Sequence, residues 1–234
     1  MVPYKELERL LVAVDCIILG FDGAKLKLLL IKRGFEPEKN KWSLMGGFVQ
    51  PSENSLESAK RVLKQLTGLS GVYLEELRAF SNPDRDPEER ILSLAYFALI
   101  DINQYQKQLS NDYQAEWFEL DQIPALIFDH NDMVKSAIRR LRYKAALHPL
   151  LFELLPEKFT IPQLQILYEA VYDTVFDKRN FSRKVLSLEL LVKQMDKDKE
   201  SSKKGAYFYK LDLTKYETNF QAFLNFIPNA HLYL

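Results

Sequence analysis

The sequence predicts an α+β chain in two parts. A mixed β-sheet covered by helices on both faces, an α/β/α sandwich, occupies residues 1–148, and a small helical module closed by a β-wing occupies 149–234. Three observations carry this. Apolar, strand-like runs recur through the first part, interrupted by only two segments of helical periodicity. The character changes near His148-Pro149, beyond which three helical segments follow one another. The last of these is followed by a Gly-containing turn and a strand of alternating aromatic residues (SSKKGAYFYKLDL).

Val12–Phe21 is β-branched and apolar, Asp22-Gly23 marks a turn, and Lys25–Arg33 is apolar again, which is a hairpin signal. Lys41–Val49 (KWSLMGGFV) reads as a short strand leading into a Gly-Gly bend. Ser55–Leu66 places Leu56, Ala59, Leu63 and Leu66 at helical spacing, and Gly68 closes that helix as its C-cap. Leu74–Asn82 and Ile91–Ile100 are strands around the charged loop PDRDPEER, and Ala115–Leu120 is a further short strand. Asn131–Lys144 is an amphipathic helix with Asn131 or Asp132 as N-cap.

In the second part, Leu150–Leu155 is a short helix ended by Pro156. Thr160 caps a second, with Gln163 as capping-box partner and Ile161, Leu164, Leu167 and Val171 on one face. After a turn (YDTVF), Asp177 caps a third helix, DKRNFSRKVLSLELL, with an apolar stripe of Phe181, Val185 and Leu188. Three helices followed by a basic wing is the order of a winged helix-turn-helix. Asp177 to Lys210 holds ten Lys/Arg against five Asp/Glu, a local excess of +5 on a chain of zero net charge. A helix that reads DNA needs cations for phosphates and short polar groups for base edges. Arg179, Asn180, Ser182 and Arg183 supply those types, with Lys178 and Lys184 beside them and Lys203 and Lys204 in the wing turn. The competing reading is a solvated amphipathic helix in a small domain.

Composition bounds the rest. Apolar content of 47% with 27% charged residues is ordinary for a globular protein with a core. Zero net charge leaves no global attraction to polyanions, so any basic patch is local. The single cysteine, Cys16, lies in an apolar run and reads as core, and the lack of a second suits a reducing cytoplasm. The N-terminus lacks the apolar stretch of a signal peptide, and no run of eighteen apolar residues spans a membrane.

Gly47–Leu69 (GFVQPSENSLESAKRVLKQLTGL) resembles the Nudix signature, with Gly47, Glu53, Arg61, Leu63, Gly68 and Leu69 in register. At the three glutamate positions of the core stand Val62, Gln65 and Leu66. In Nudix enzymes that helix holds divalent cations, usually magnesium, against a pyrophosphate. Magnesium needs hard oxygen ligands; Gln65 offers a neutral carbonyl, and Val62 and Leu66 offer nothing. The expectation is a loop-helix-loop scaffold braced by Glu53 and Arg61, with no catalytic residue, no metal and no cofactor. Glu57 reads as a solvated surface residue.

Taken together, the chain resembles the Nudix-related transcriptional regulators, in which a degenerate Nudix domain senses a small molecule and a C-terminal winged helix binds an operator. The likeness rests on LLLIKRGFEPEKNKWSLMGGFV, SNPDRDPEERILSLAYFALI, FDHNDMVKSAIRRLRYK and FTIPQLQILYEAVYDTVFDKRNFSRKVL. It implies a cytoplasmic homodimer on a palindromic operator, released by an effector. The chain looks closest to the arabinose-responsive branch, so the expected effector is L-arabinose and the expected targets are sugar-utilisation genes under repression. The alternatives are a regulator of NAD metabolism sensing ADP-ribose, a residual Nudix pyrophosphohydrolase, and a non-catalytic protein-interaction module. The resemblance places Arg33, Trp42, Asp84, Arg85 and His130 on segments flanking the Nudix cleft, where a neutral sugar would need a few polar groups and an aromatic wall. Trp42 equally fits the core, Arg85 and Asp86 equally fit a loop ion pair, and His130 equally fits a structural histidine.

Overall fold

The computed structural model describes Pro3 and residues 6–105, 115–199 and 205–218. The first strand, β1 (Leu11–Phe21), is paired with β2 (Leu26–Lys32) through a turn at Asp22-Gly23, where Gly23 takes φ 96°. Then come β3 (Trp42–Ser43), β4 (Met45–Phe48), helix α1 (Ser55–Thr67), β5 (Tyr73–Phe80) and β6 (Ile91–Asp101). A single turn of helix, α2 (Ile102–Tyr105), precedes β7 (Glu116–Glu119) and the long α3 (His130–Leu147). The sheet runs β3-β2-β1-β6-β5, with β4 on β1 and β7 on β2. Both β1 and β6 are almost wholly buried, which is why they read as unbroken apolar runs rather than alternating ones.

Lys41–Val49 is not one strand. β3 pairs with β2 and β4 with β1, and between them the Leu44 N–H leaves the ladder to donate to His130 Nδ1 at 3.2 Å. The long helix also starts earlier than its expected caps, because the Asp129 carbonyl already accepts from Met133 N. On α1, Ser58, Ala59, Val62, Leu63 and Thr67 are buried, while Leu56 is exposed and Leu66 half-buried. The small Ser58 and Ala59 let this face approach the sheet, which turns Leu56 outward. Asn54 and Glu57 close a capping box at the N-terminus of α1, so Glu57 is exposed but occupied. Gly68 caps the other end at φ 79°.

Beyond α3, Pro149–Leu154 forms a 3-10 helix rather than an α-helical turn. A two-residue strand β8 (Phe159–Thr160) leads into α4 (Ile161–Tyr172), whose Thr160–Gln163 capping box and buried face of Ile161, Leu164, Leu167 and Val171 are as expected. Helix α5 (Lys178–Ser187) is capped by Asp177 and stops four residues before the expected Leu191. Glu189 takes φ 56° and turns the chain. Leu191 then opens β9 (Leu191–Asp198), which pairs antiparallel with β10 (Ala206–Leu211). The ladder claims residues that a helical stripe would otherwise continue through. β10 also pairs with β8, giving a three-stranded sheet, and a short α6 (Leu213–Thr218) follows.

The chain divides into two compact units. One holds Met1–Ile18, Leu28–Ala98 and Gln108–Ser136; the other holds Leu19–Lys27, Leu99–Lys107 and Ala137–Leu234. No helix among the described residues is long and apolar enough to cross a membrane.

α1 packs tightly on the sheet at Gly47, where an added Cβ would lie 2.6 Å from Val62 Cγ2. Gly47→Ala is therefore expected to cost about 1–3 kcal/mol of overpacking. Val62→Ala in the same chain should recover part of that cost, so that a urea-denaturation cycle gives a non-additive pair.

Candidate ligand cleft and candidate nucleic-acid interface

An open cleft of about 220 Å³ lies over the first half of β1, the end of β2, the β3–β4 segment and the start of α3. Its floor is a buried charge cluster. Asp15 stands in the middle of β1, in the apolar run VAVDCII, and is 5% exposed. Its carboxylate accepts from Ser93 Oγ on β6. Arg85 is 7% exposed and donates through Nε and Nη2 to both oxygens of Asp129, at 3.0 and 2.8 Å, with Asp15 Oδ2 at 3.5 Å from Nη2. His130 Nε2 lies 3.7 Å from Asp15 Oδ1. Close approach of the strand requires Gly46, where a Cβ would meet Asp15 Oδ1 at 2.5 Å.

The rim is aromatic. Phe35, Phe48 and Phe128 line the cleft, and the Arg33 guanidinium lies 4.1 Å from the Phe35 ring centroid and 5.4 Å from that of Phe128. Arg33 Nε donates to the Phe35 carbonyl, which sets the fork at the mouth of the cleft. Flat apolar surfaces with one cation suit a ligand that combines a ring with an anionic group.

Arg33, Arg85 and His130 thus meet in one cleft. Trp42 and Asp84 do not line it. Trp42 is half-buried beside it, edge-on to Phe118 at 4.8 Å and under the Lys32 ammonium at 5.1 Å. Asp84 is exposed in a turn, its N–H donating to Asn82. The expected Arg85–Asp86 pair does not form: Arg85 reaches across to Asp129, and Asp86 accepts from the Glu88 and Glu89 N–H groups of its own loop. Sequence reasoning passed over Asp15, Asp129 and the three phenylalanines. Only Asp15 carried a local signal, as a lone carboxylate in a strand of buried residues.

The signature loop keeps its brace. Arg61 donates to both Glu53 oxygens and, through Nη2, to the Phe48 carbonyl. This partner pulls the Glu53 carboxyl down to about 2. Gln65 accepts from Arg61 Nη1 at 3.2 Å, Leu66 lines the cleft, and Val62 is packed on Gly47. No cluster of three His, Cys, Asp or Glu among the described residues is placed to hold a metal ion.

In the second unit, α4 and α5 are joined by a fixed turn. Gln165 Nε2 donates to the Phe176 carbonyl, and Glu169 Oε1 accepts from Phe176 N. Phe181 is buried beside Tyr168 and Phe176, and Val185 is buried one turn on. That anchoring leaves Lys178, Arg179, Asn180 and Arg183 exposed and Ser182 and Lys184 half-buried. Arg183 donates to Asn180 Oδ1 at 3.2 Å. Lys203 and Lys204 lie outside the described residues.

Residues 9–144 match the NUDIX domain family, and residues 151–211 match the NrtR DNA-binding winged helix domain. The chain is 34% identical, over 94% of its length and 89% of the relative's, to an ADPR responsive transcriptional repressor, NtrR, of Acinetobacter baylyi. It is also 36% identical over 129 residues, 55% of the chain and 73% of the relative, to an ADP-ribose pyrophosphatase of Methanocaldococcus jannaschii. Among solved structures it resembles Shewanella oneidensis NrtR complexed with a 27mer DNA, with TM-score 0.77, 29% identity and coverage of 88% and 95% of the two chains. The NUDIX domain of that protein complexed with ADP ribose matches with TM-score 0.52 and 28% identity, covering 60% of this chain and 94% of that one.

Burial, first of all, holds His130 below its ordinary value near 6.5, against the opposing pull of Asp15. The neutral ring suits its Nδ1, which accepts from Leu44 N. The unfolded chain takes up this proton as pH falls through 6.5, whereas the folded chain resists it. Stability from this site is therefore full above 6.5 and declines as pH falls below it. His130→Asn, which keeps an acceptor for Leu44, should flatten the dependence of unfolding free energy on pH between 7 and 5. An unchanged slope would mean that His130 does not contribute.

Proposed function

Because this chain belongs to the Nudix-related transcriptional regulators of the NrtR type, we propose that it is an ADP-ribose-responsive repressor that binds operator DNA through α5 and the β9–β10 wing. The observation that carries this is the identity to the Acinetobacter repressor over 94% of the chain, spanning both matched domains. The expected arabinose branch and its sugar-gene targets find no support among these relatives. ADP-ribose, the alternative reading, replaces arabinose as the effector, and control of NAD-metabolism genes replaces sugar utilisation. We place the domain boundary near His148-Pro149, a reading supported by matched segments that end at 144 and begin at 151.

The cleft chemistry fits that effector. ADP-ribose carries an adenine ring and a diphosphate. The phenylalanine rim offers surfaces for the ring, half-buried Arg33 offers a guanidinium for the diphosphate, and Arg85 and His130 form the floor. Trp42 and Asp84 lie outside this lining. The pyrophosphatase likeness favours a second, hydrolytic reading. Residue chemistry weighs against it: the three positions that should hold a cation present a methyl group packed on Gly47, an amide bound to Arg61 and a leucine. The site binds its ligand and does not cleave it.

On DNA, two copies in the cytoplasm would present two α5 helices to a palindromic site. ADP-ribose would release them by favouring a state that no longer matches the half-sites, a coupling of about 1–3 kcal/mol.

Arg179→Ala and Arg183→Ala should each weaken operator binding by about 1–3 kcal/mol in fluorescence anisotropy, while ADP-ribose binding is unchanged. Normal operator affinity in both variants would remove α5 from the interface. ADP-ribose at a hundred times its Kd should add about 2.7 kcal/mol of stability in a thermal-shift assay and release labelled operator. L-arabinose should do neither, and Arg33→Ala should abolish the ADP-ribose response. Sustained AMP release from ADP-ribose with magnesium would overturn the non-catalytic reading.

A further inference from the structure

β9 carries Lys193 and Lys197 on either side of a shift in its register with β10, which falls between Tyr207 and Tyr209. Of the acids nearby, Asp196 binds Lys158 at 3.0 Å, and Glu157 binds Lys210 of β10. Among the described residues, neither Lys193 nor Lys197 makes an ion pair. Both instead lie over one ring, that of Tyr207 on β10, which is directly opposite Lys197 in the ladder. Lys193 Nζ is 3.5 Å and Lys197 Nζ 4.3 Å from its centroid. Met195 between them is fully exposed.

We propose that Lys193 and Lys197, both held by the ring of Tyr207, grip the phosphate backbone of duplex DNA beside the segment read by α5. The observation behind this is two ammonium groups drawn to one aromatic ring, neither of them in an ion pair among the described residues. An aromatic face orients a cation without neutralising it or occupying its N–H donors as a carboxylate would. Two such neighbouring cations suit a polyanion, whereas they would repel a basic partner. The contact would be blind to sequence, so it adds affinity and not discrimination. Tyr207 is then a positioning residue that acts through the lysines. This inference rests on the operator-binding reading above.

The test is the salt dependence of binding by the full chain to two duplexes, its operator and an unrelated sequence. Each phosphate contact contributes about 0.9 to the slope of log K against log salt concentration. The double variant Lys193→Gln/Lys197→Gln should lower that slope by about 2 and weaken both duplexes by the same factor. Tyr207→Phe, which keeps the ring, should behave as wild type, whereas Tyr207→Leu, with both lysines intact, should lose part of the affinity on both duplexes. Operator binding by the wild type with an unchanged slope in the double variant would overturn the proposal and leave the operator reading standing. Weakening of the operator alone would also overturn it, because the lysines would then read sequence. No salt-sensitive duplex binding by the wild type would overturn both.

Discussion

The cleft depends on one guanidinium. Arg85 binds Asp129 through two hydrogen bonds and lies within 3.5 Å of Asp15. These contacts tie together three pieces that the chain keeps far apart: the middle of β1, the loop between β5 and β6, and the residue that opens α3. A buried charge is tolerated only when it is paired, and removing one partner of such a pair costs about 3–5 kcal/mol. The cluster therefore holds the floor in one arrangement before any ligand arrives. His130, next to Asp129, is fixed by the same arrangement and takes the N–H that the break between β3 and β4 releases.

Around that floor the Nudix scaffold is kept and its chemistry replaced. Glu53 and Arg61 still brace the loop, because their work is geometric and is done by hydrogen bonds that any ligand requires. The metal-binding positions have been absorbed into packing. Val62 fills the space over Gly47, Gln65 satisfies Arg61, and Leu66 becomes part of the cleft wall. On the proposed reading a sensor releases its signal unchanged, and the lack of carboxylates at positions 62, 65 and 66 serves that need.

The second unit solves a different problem, keeping cations available. Helix α5 is held from beneath by Phe181 and Val185, so its basic residues need no partners in the core. In the wing, Lys158 takes up Asp196, while Lys193 and Lys197 lie over the ring of Tyr207. On a chain of zero net charge, attraction to DNA comes from where the charges lie and not from how many there are.

Much of this was legible in the order of residues. The capping box of α4 and its buried stripe, the Asp177 cap, the left-handed Gly68 and the brace between Glu53 and Arg61 are local patterns, written within a turn or two of helix. The emptied signature was equally plain, because a carboxylate either stands at a position or does not. What eluded a linear reading was contact between distant segments. Arg85 pairs with Asp129, 44 positions away, and not with neighbouring Asp86. Trp42 lies beside the cleft while Phe35, Phe48 and Phe128 form its rim. The helix expected to reach Leu191 yields to a strand because β10 offers it a ladder. The sequence by itself determined the order of the main strands and helices, the caps of α4 and α5 and the lack of carboxylates at the signature positions, since those follow from local spacing and residue chemistry. Only the tertiary structure decided which side chains share a surface, since packing brings together residues whose separation along the chain carries no local pattern.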